Sequence, residues 1–169
     1  TLINEYSDLL LEEINRLSGF VDEFLYFAKQ SKPKPVLIDL NDLIDNTLSL
    51  FEEEFRSKKI KITRSLEPEL PPVRLDARQI EQVLINLLLN AVDAAGEHGQ
   101  VHVATRIKKD DKKWEANPRV LIIVEDNGNG IQPENLKYIF DPFFSTKDSG
   151  TGLGLPISYG IVEGHGGTI

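Results

Sequence analysis

The sequence predicts an α+β two-layer sandwich preceded by a long, bundle-forming helix. Three observations carry this: a 4-3 repeat of mostly apolar residues from 3 to 28, a proline-rich break directly after it, and, beyond the break, helix-period segments mixed with largely antiparallel strand-period ones. In the repeat, Ile3, Ser7, Leu10, Ile14, Leu17, Val21, Phe24 and Ala28 keep seam spacing, with Glu12, Glu13, Arg16, Asp22 and Glu23 between them. Such a seam can pack inside its own chain or join two chains, and the abrupt hinge favours a dimer-forming helix. SKPKP (31–35) stops it, because proline cannot continue a helix and disfavours helical geometry in the residue before it. The boundaries expected are therefore a helix over 1–31, a linker over 32–40 and a domain over 41–169.

Within that domain the pattern predicts a helix over 41–58 capped by Asn41, and a strand at Ile60-Lys-Ile-Thr before the prolines at 68, 71 and 72. Asp76 then caps a helix that ends near Gly96. A strand over 101–107, a polar hairpin excursion over 108–118 and a buried strand over 119–126 follow, with short helices over 134–140 and 153–163.

Composition limits what such a chain can do. At 169 residues it can hold one domain with a real core plus an appendage. With 19 Lys and Arg against 27 Asp and Glu, the net charge of -8 opposes a phosphate backbone, so nucleic acid is not an expected partner. Zero Cys removes disulfides, thiolate metal sites and cysteine nucleophiles, and fits a reducing, cytoplasmic setting. No run is apolar enough to span a bilayer and no signal peptide opens the chain, so no membrane contact is expected of it. Met is absent even at residue 1, which reads as a fragment of a longer protein, with membrane anchoring of the parent left open.

The chemistry concentrates in four stretches. INLLLNAVDAAG (85–96) is a greasy helix whose Gln82, Asn86, Asn90 and Asp93 form one polar stripe at i, i+4, i+8 and i+11. A buried amide without a partner costs about 1–3 kcal/mol, so that stripe needs either a ligand or solvent beside it. Mg²⁺ prefers one or two protein oxygens plus substrate phosphates and water, and an amide carbonyl supplies such an oxygen without adding charge. Asn90 is the expected direct ligand, with Asn86 as a second contact to metal, water or phosphate; a stripe that merely faces water is the alternative. The strand ending at Asp126 runs into Asn127-Gly128-Asn129-Gly130, where a carboxylate could accept a hydrogen bond from a ligand, although such turns are also ordinary hairpin chemistry. In GTGLGL (150–155), alternating glycines expose successive N–H groups at the start of a helix, a natural cradle for phosphate or else a flexible hinge. Between them, FDPFFSTK (140–147) offers Phe140, Phe143 and Phe144 as pins for a mobile segment or as core, and Lys147 as a point charge for phosphate. Neither GxxxxGK[ST] nor GxGxxG occurs.

In order, NLLLNAVDA (86–94), DNGNG (126–130), FDPFF (140–144) and GTGLGL (150–155) resemble the N, G1, F and G2 boxes of the ATP-binding domain of sensor histidine kinases, within the superfamily that also holds DNA gyrase and the Hsp90 chaperone. FFSTK and PISYGIVEGHGG are similar to the kinases of nitrogen regulation. The resemblance implies a Bergerat-type ATP-binding fold in which Asp126 receives the adenine amino group, Asn90 holds Mg²⁺, and 141–152 is a lid over the phosphates. It further implies nucleotide contacts from Asp93, Gly128, Gly130, Ile131, Phe140, Thr146, Gly150, Thr151, Gly152, Leu153, Gly154 and Leu155, with Asn86, Asn90 and Lys147 at the reacting end. The seam helix resembles the second helix of a dimerisation and phosphotransfer hairpin, implying homodimers once the hairpin is complete and a response-regulator receiver domain as partner. None of His98, His102 and His165 sits in the family's acceptor pattern, so the phosphoryl acceptor is expected elsewhere, and His165 in GHGG is expected to be structural. The chain also stops at Gly167-Thr-Ile, before the last strands the family adds.

Three functions of different classes follow. A protein-histidine kinase domain would position Mg·ATP for transfer to an imidazole on a partner helix. An ATP-hydrolysing clamp would need a carboxylate where Asn86 stands, because an amide cannot act as general base and Glu81 projects from another face. A nucleotide-binding docking module without kinase activity is the third.

Overall fold

A computed structural model describes residues 6, 7, 10, 11, 14, 17–21, 24, 25, 32–108, 119–147 and 150–169. The described positions between 6 and 25 are helical, and the seam residues among them, Leu10, Ile14, Leu17, Val21 and Phe24, are exposed. From residue 36 onward the elements run β1 (Val36–Ile38), α1 (Leu40–Leu50), α2 (Glu52–Ser57), β2 (Lys61–Ser65), β3 (Val73–Leu75), α3 (Ala77–Ala95), β4 (Gln100–Lys108), β5 (Arg119–Asp126) and α4 (Gly154–Gly164).

The strands form two sheets. β1 pairs antiparallel with β3, Val36 opposite Leu75. β2, β4 and β5 form the second in that order, β2 parallel to β4 and β5 antiparallel to it, with Val101 opposite Asp126. Parallel pairing of β2 and β4 requires a crossover, and α3 supplies it. The α+β sandwich is as expected: Ile44 and Leu48 of α1, Ile80, Leu84, Leu88 and Val92 of α3, and Ile157 and Ile161 of α4 recur at helical spacing and close over Val101 and Val103 of β4.

Several expected elements change. The helix expected over 41–58 is two, α1 and α2, joined at Phe51, whose N–H turns back to Leu48 O at 3.1 Å. One turn upstream, the Thr47 hydroxyl donates to Leu43 O, a back-bond that bends helices. Asp39, not Asn41, caps α1: its Oδ1 accepts from the N–H groups of Asn41 and Asp42. Asn41 is instead inside the fold, donating to Glu67 O at 2.8 Å and accepting from Thr105 Oγ1 at 2.9 Å. The expected helix over 134–140 is a succession of turns, closed by i to i+3 bonds from Asn135, Tyr138 and Asp141 N–H groups to Gln132, Asn135 and Tyr138 carbonyls. β5 is not buried on both faces; Val120, Ile122 and Val124 pack on the core while Leu121 is exposed. The hairpin expected over 108–118 lies outside the described residues beyond Lys108.

The linker is built into the domain rather than hung from it. β1 falls within 32–40, the Lys34 N–H donates to Asp76 Oδ2 at 2.9 Å, and Arg74 reaches Pro35 O. Asp76 caps α3 as expected, through Gln79 N–H, and its own N–H donates to His165 Nε2 at 3.0 Å. His165 Nδ1 bonds Ile161 O at 2.8 Å, so the ring keeps its proton on Nδ1 and accepts on Nε2. The Lys34 N–H, then that of Gln79, hold the Asp76 carboxyl below the usual 3.8 of an aspartate. A depressed carboxyl stabilises the fold above its unfolded pKa and loses that contribution as pH falls through the lower folded value. Asp76→Asn should therefore flatten the loss of stability on acidifying below about 3.8, read from urea midpoints on either side of that pH.

Candidate functional site

The four motifs meet along one stripe of α3. At its buried end, Asn86 Nδ2 donates to Gly154 O at 2.9 Å and to Ser158 Oγ at 3.1 Å, while Asn86 Oδ1 accepts from Gln82 Nε2 at 3.0 Å. One turn on, Asn90 Oδ1 lies 3.4 Å from Lys147 Nζ, which also pairs with Asp93 Oδ2 at 2.9 Å. At the helix end, the DNGNG loop lies so close that a Cβ on Gly128 would collide with Ala94 O. The stripe thus passes from buried Asn86 through half-buried Asn90 to exposed Asp93.

The glycine loop is seated on the backbone around Phe143. Phe143 N–H donates to Gly152 O at 3.0 Å, and a Cβ on Gly152, whose φ is 68°, would stand 2.5 Å from the Phe143 backbone. Only glycine combines that left-handed backbone with that approach. Thr151 Oγ1 accepts from Leu153 N–H at 3.3 Å, and Gly150 N–H closes onto Lys147 O. Phe140 stacks on Tyr159 of α4 at 5.2 Å between centroids, and Phe144 on Tyr138 at 5.6 Å. Phe143 is exposed, with a φ of 68°, so it is neither core nor pin.

Asp126 ends β5 exposed, its Oδ1 accepting from Gly128 N–H at 2.9 Å. Gly130 and Ile131 follow on the exposed side of that loop, and Thr146 is exposed beside Lys147. Gly154 and Leu155 open α4 and carry the N–H groups of its first turn, since Pro156 has none and the Ile157 N–H donates to Leu153 O. Residues 148 and 149 lie outside the described residues.

Both Nδ2 hydrogens and one Oδ1 lone pair of Asn86 are taken by protein partners, so it docks α4 onto α3. The Leu153 side chain is fully buried in the core. The residues not foreseen are those that hold the site together. Ser158 stands four residues after Gly154 among the apolar positions Leu153, Ile157 and Ile161, a spacing that marks it as the polar member of an inward face. Lys58, at the end of α2, reaches Asp93 at 3.6 Å and Glu54 at 3.1 Å; bonding to Glu54 raises its pKa, with Asp93 adding to the effect. A groove between α1 and β2, lined by Asp45, Leu48, Phe55 and Arg64 among others, shares no residue with this site.

Residues 75–169 match the family described as histidine kinase-, DNA gyrase B- and HSP90-like ATPase, and the chain belongs to it. The sensor histidine kinase ZraS of Escherichia coli strain K12 is 37% identical over 166 residues, 98% of this chain and 34% of ZraS. Histidine kinase ThkA, solved in complex with response regulator protein TrrA, is 32% identical with a TM-score of 0.78, covering 98% of this chain and 45% of that one. Full-length ShkA in complex with AMPPNP superposes with a TM-score of 0.81 at 26% identity, over 96% of this chain and 34% of ShkA. The chain thus spans about a third of the length of the ZraS relative it matches. Within the family it is built as the ATP-binding catalytic domain of a histidine kinase.

The docking role of Asn86 sets a measurable cost. Asn86→Ala removes the donor to Gly154 O and Ser158 Oγ and the acceptor of Gln82 Nε2, loosens α4, and should lower unfolding free energy by about 1–3 kcal/mol in urea titrations.

Proposed function

We propose that this chain binds Mg·ATP along the α3 stripe and positions the γ-phosphoryl group for transfer to a histidine on a dimerisation helix, for relay to a response-regulator aspartate. The observation that carries it is that one stretch of α3 meets the start of α4 at Asn86, Lys147 at Asn90 and Asp93, and the loop that follows Asp126 at Ala94.

Each part has a task in that reaction. Asp126 Oδ1 is occupied by the turn, and its other oxygen accepts from the adenine amino group. Gly152, Gly154 and Leu155 supply the backbone N–H groups for the phosphates at the start of α4, where Pro156 has none. Lys147 supplies a mobile positive charge. The donor set at Asn90 fits Mg²⁺: it is a neutral, half-buried amide oxygen, and among the described residues no three His, Asp or Glu converge on a metal-sized site. The ion's remaining ligands would be phosphate and water. When bound, Mg²⁺ neutralises charge on the phosphate oxygens. Asn86 contributes by fixing the distance between α3 and α4, and hence between Asn90 and the phosphate-facing N–H groups.

The acceptor is on another helix. His165 is locked by Asp76 and Ile161, and His102 bonds Thr63 Oγ1 at 2.9 Å. A neutral imidazole is nucleophilic near pH 7, so positioning and charge stabilisation are the main work asked of the domain. The exposed seam of residues 10–24 is the surface on which a complete hairpin would dimerise. A chain that uses ATP and meets a receiver domain would work in the cytoplasm.

Calorimetric titration with Mg·ADP and a non-hydrolysable ATP analogue tests the site. Asp126→Ala should weaken both by about tenfold or more, the worth of a hydrogen bond to a charged group, and Asn90→Ala should abolish the gain in affinity on adding Mg²⁺. Unchanged affinities in both variants overturn the assignment. Mixed with a hairpin that carries the acceptor histidine and with labelled ATP, the chain should yield acid-labile phosphohistidine; fast hydrolysis without acceptor would point to a clamp instead.

A further inference from the structure

Lys147 stands where the metal is expected. Its ammonium is 2.9 Å from Asp93 Oδ2 and 3.4 Å from Asn90 Oδ1, the oxygen assigned to Mg²⁺. Asp93 is steadied from its other side, its Oδ1 lying 3.6 Å from Lys58 Nζ, which is in turn bonded to Glu54. The carboxylate is therefore a fixed post on α3, and the lid lysine is tethered to it. Lys147 and Asp93 are 41% and 48% exposed, so the tether is of the weak, breakable kind.

We propose that Lys147, parked by Asp93 beside the Asn90 oxygen, competes with the divalent ion for one site, so that Lys147 sets the preference for triphosphate over diphosphate and Asp93 the overall nucleotide affinity. This rests on the reading of the α3 stripe as the Mg-nucleotide site. A dication at Asn90 repels an ammonium a few ångströms away, so metal entry drives Lys147 off its post. A triphosphate offers the displaced ammonium one more anionic group than a diphosphate does, and recovers in a charge-assisted hydrogen bond what the broken pair loses. A diphosphate recovers less. The same pair ties the segment that ends at Lys147 to α3.

Two measurements test this. In calorimetric titrations, Lys147→Met should tighten Mg·ADP by about two- to fivefold, the range of an exposed ion pair, and erase most of the preference for a non-hydrolysable triphosphate over the diphosphate. Asp93→Asn should tighten both nucleotides together and keep their ratio. In the nucleotide-free chain, hydrogen exchange at the Gly150 amide, which closes onto Lys147 O, should speed up by a similar factor in each single variant, with no further gain in the double variant. Weaker Mg·ADP binding by Lys147→Met would make the lysine a plain phosphate ligand and overturn the proposal, as would unchanged exchange in both variants. Should the wild-type chain bind neither Mg-nucleotide, the site assignment fails on its own, and the exchange measurement still decides whether Asp93 holds the lid.

Discussion

A carboxamide in the interior of a leucine-rich helix must find hydrogen bonds, and the way Asn86 finds them organises the molecule. Its partners, the Gly154 carbonyl and the Ser158 hydroxyl, lie 68 and 72 residues away. By satisfying itself on them it clamps the start of α4 against the middle of α3. An unmade bond at such a position is expensive, so the relative placement of the two helices is held to the geometry of one amide. Apolar contacts between Leu84, Leu88, Ile157 and Ile161 supply most of the attraction, but they would tolerate sliding; the amide does not.

Two further close approaches work with this clamp. Gly128 lets the loop after β5 lie on the end of α3, and Gly152 lets the loop before α4 lie on the backbone around Phe143. Asp126, Asn90 and the first turn of α4 are thereby placed by packed elements, while Lys147 and Asp93 sit exposed at the other end of the stripe. The gradient from buried to exposed along α3 separates the part that holds shape from the part that faces solvent.

Much of this was readable in advance for a physical reason. The period of α3 and its cap at Asp76 are local, and local signals survive in a sequence. So did the glycine motifs, whose backbone demands are written in residue type. The partner of Asn86 was not readable, because a polar stripe is equally well satisfied by solvent, by a metal or by another helix, and the pattern of α3 alone does not choose among them. β1 and β3 escaped notice because three residues are too few to show alternation; each is a strand only because the other pairs with it. The turns over 134–140 carry apolar residues at nearly helical spacing, yet their bonds close at i+3 and never propagate. Asn41 looked like a cap because caps favour asparagine, and Asp39 took that place once Glu67 and Thr105 claimed the Asn41 amide.

The junction at Lys34 has a consequence for how this chain can vary. Between Pro33 and Pro35, Lys34 offers the one backbone N–H of the tripeptide, and it is that N–H, not the ammonium, that Asp76 accepts. Any residue but a third proline could therefore stand at 34 without loosening the joint between the connecting segment and the foot of α3. The coupling is stored in main-chain geometry, where substitutions of side chain scarcely reach it.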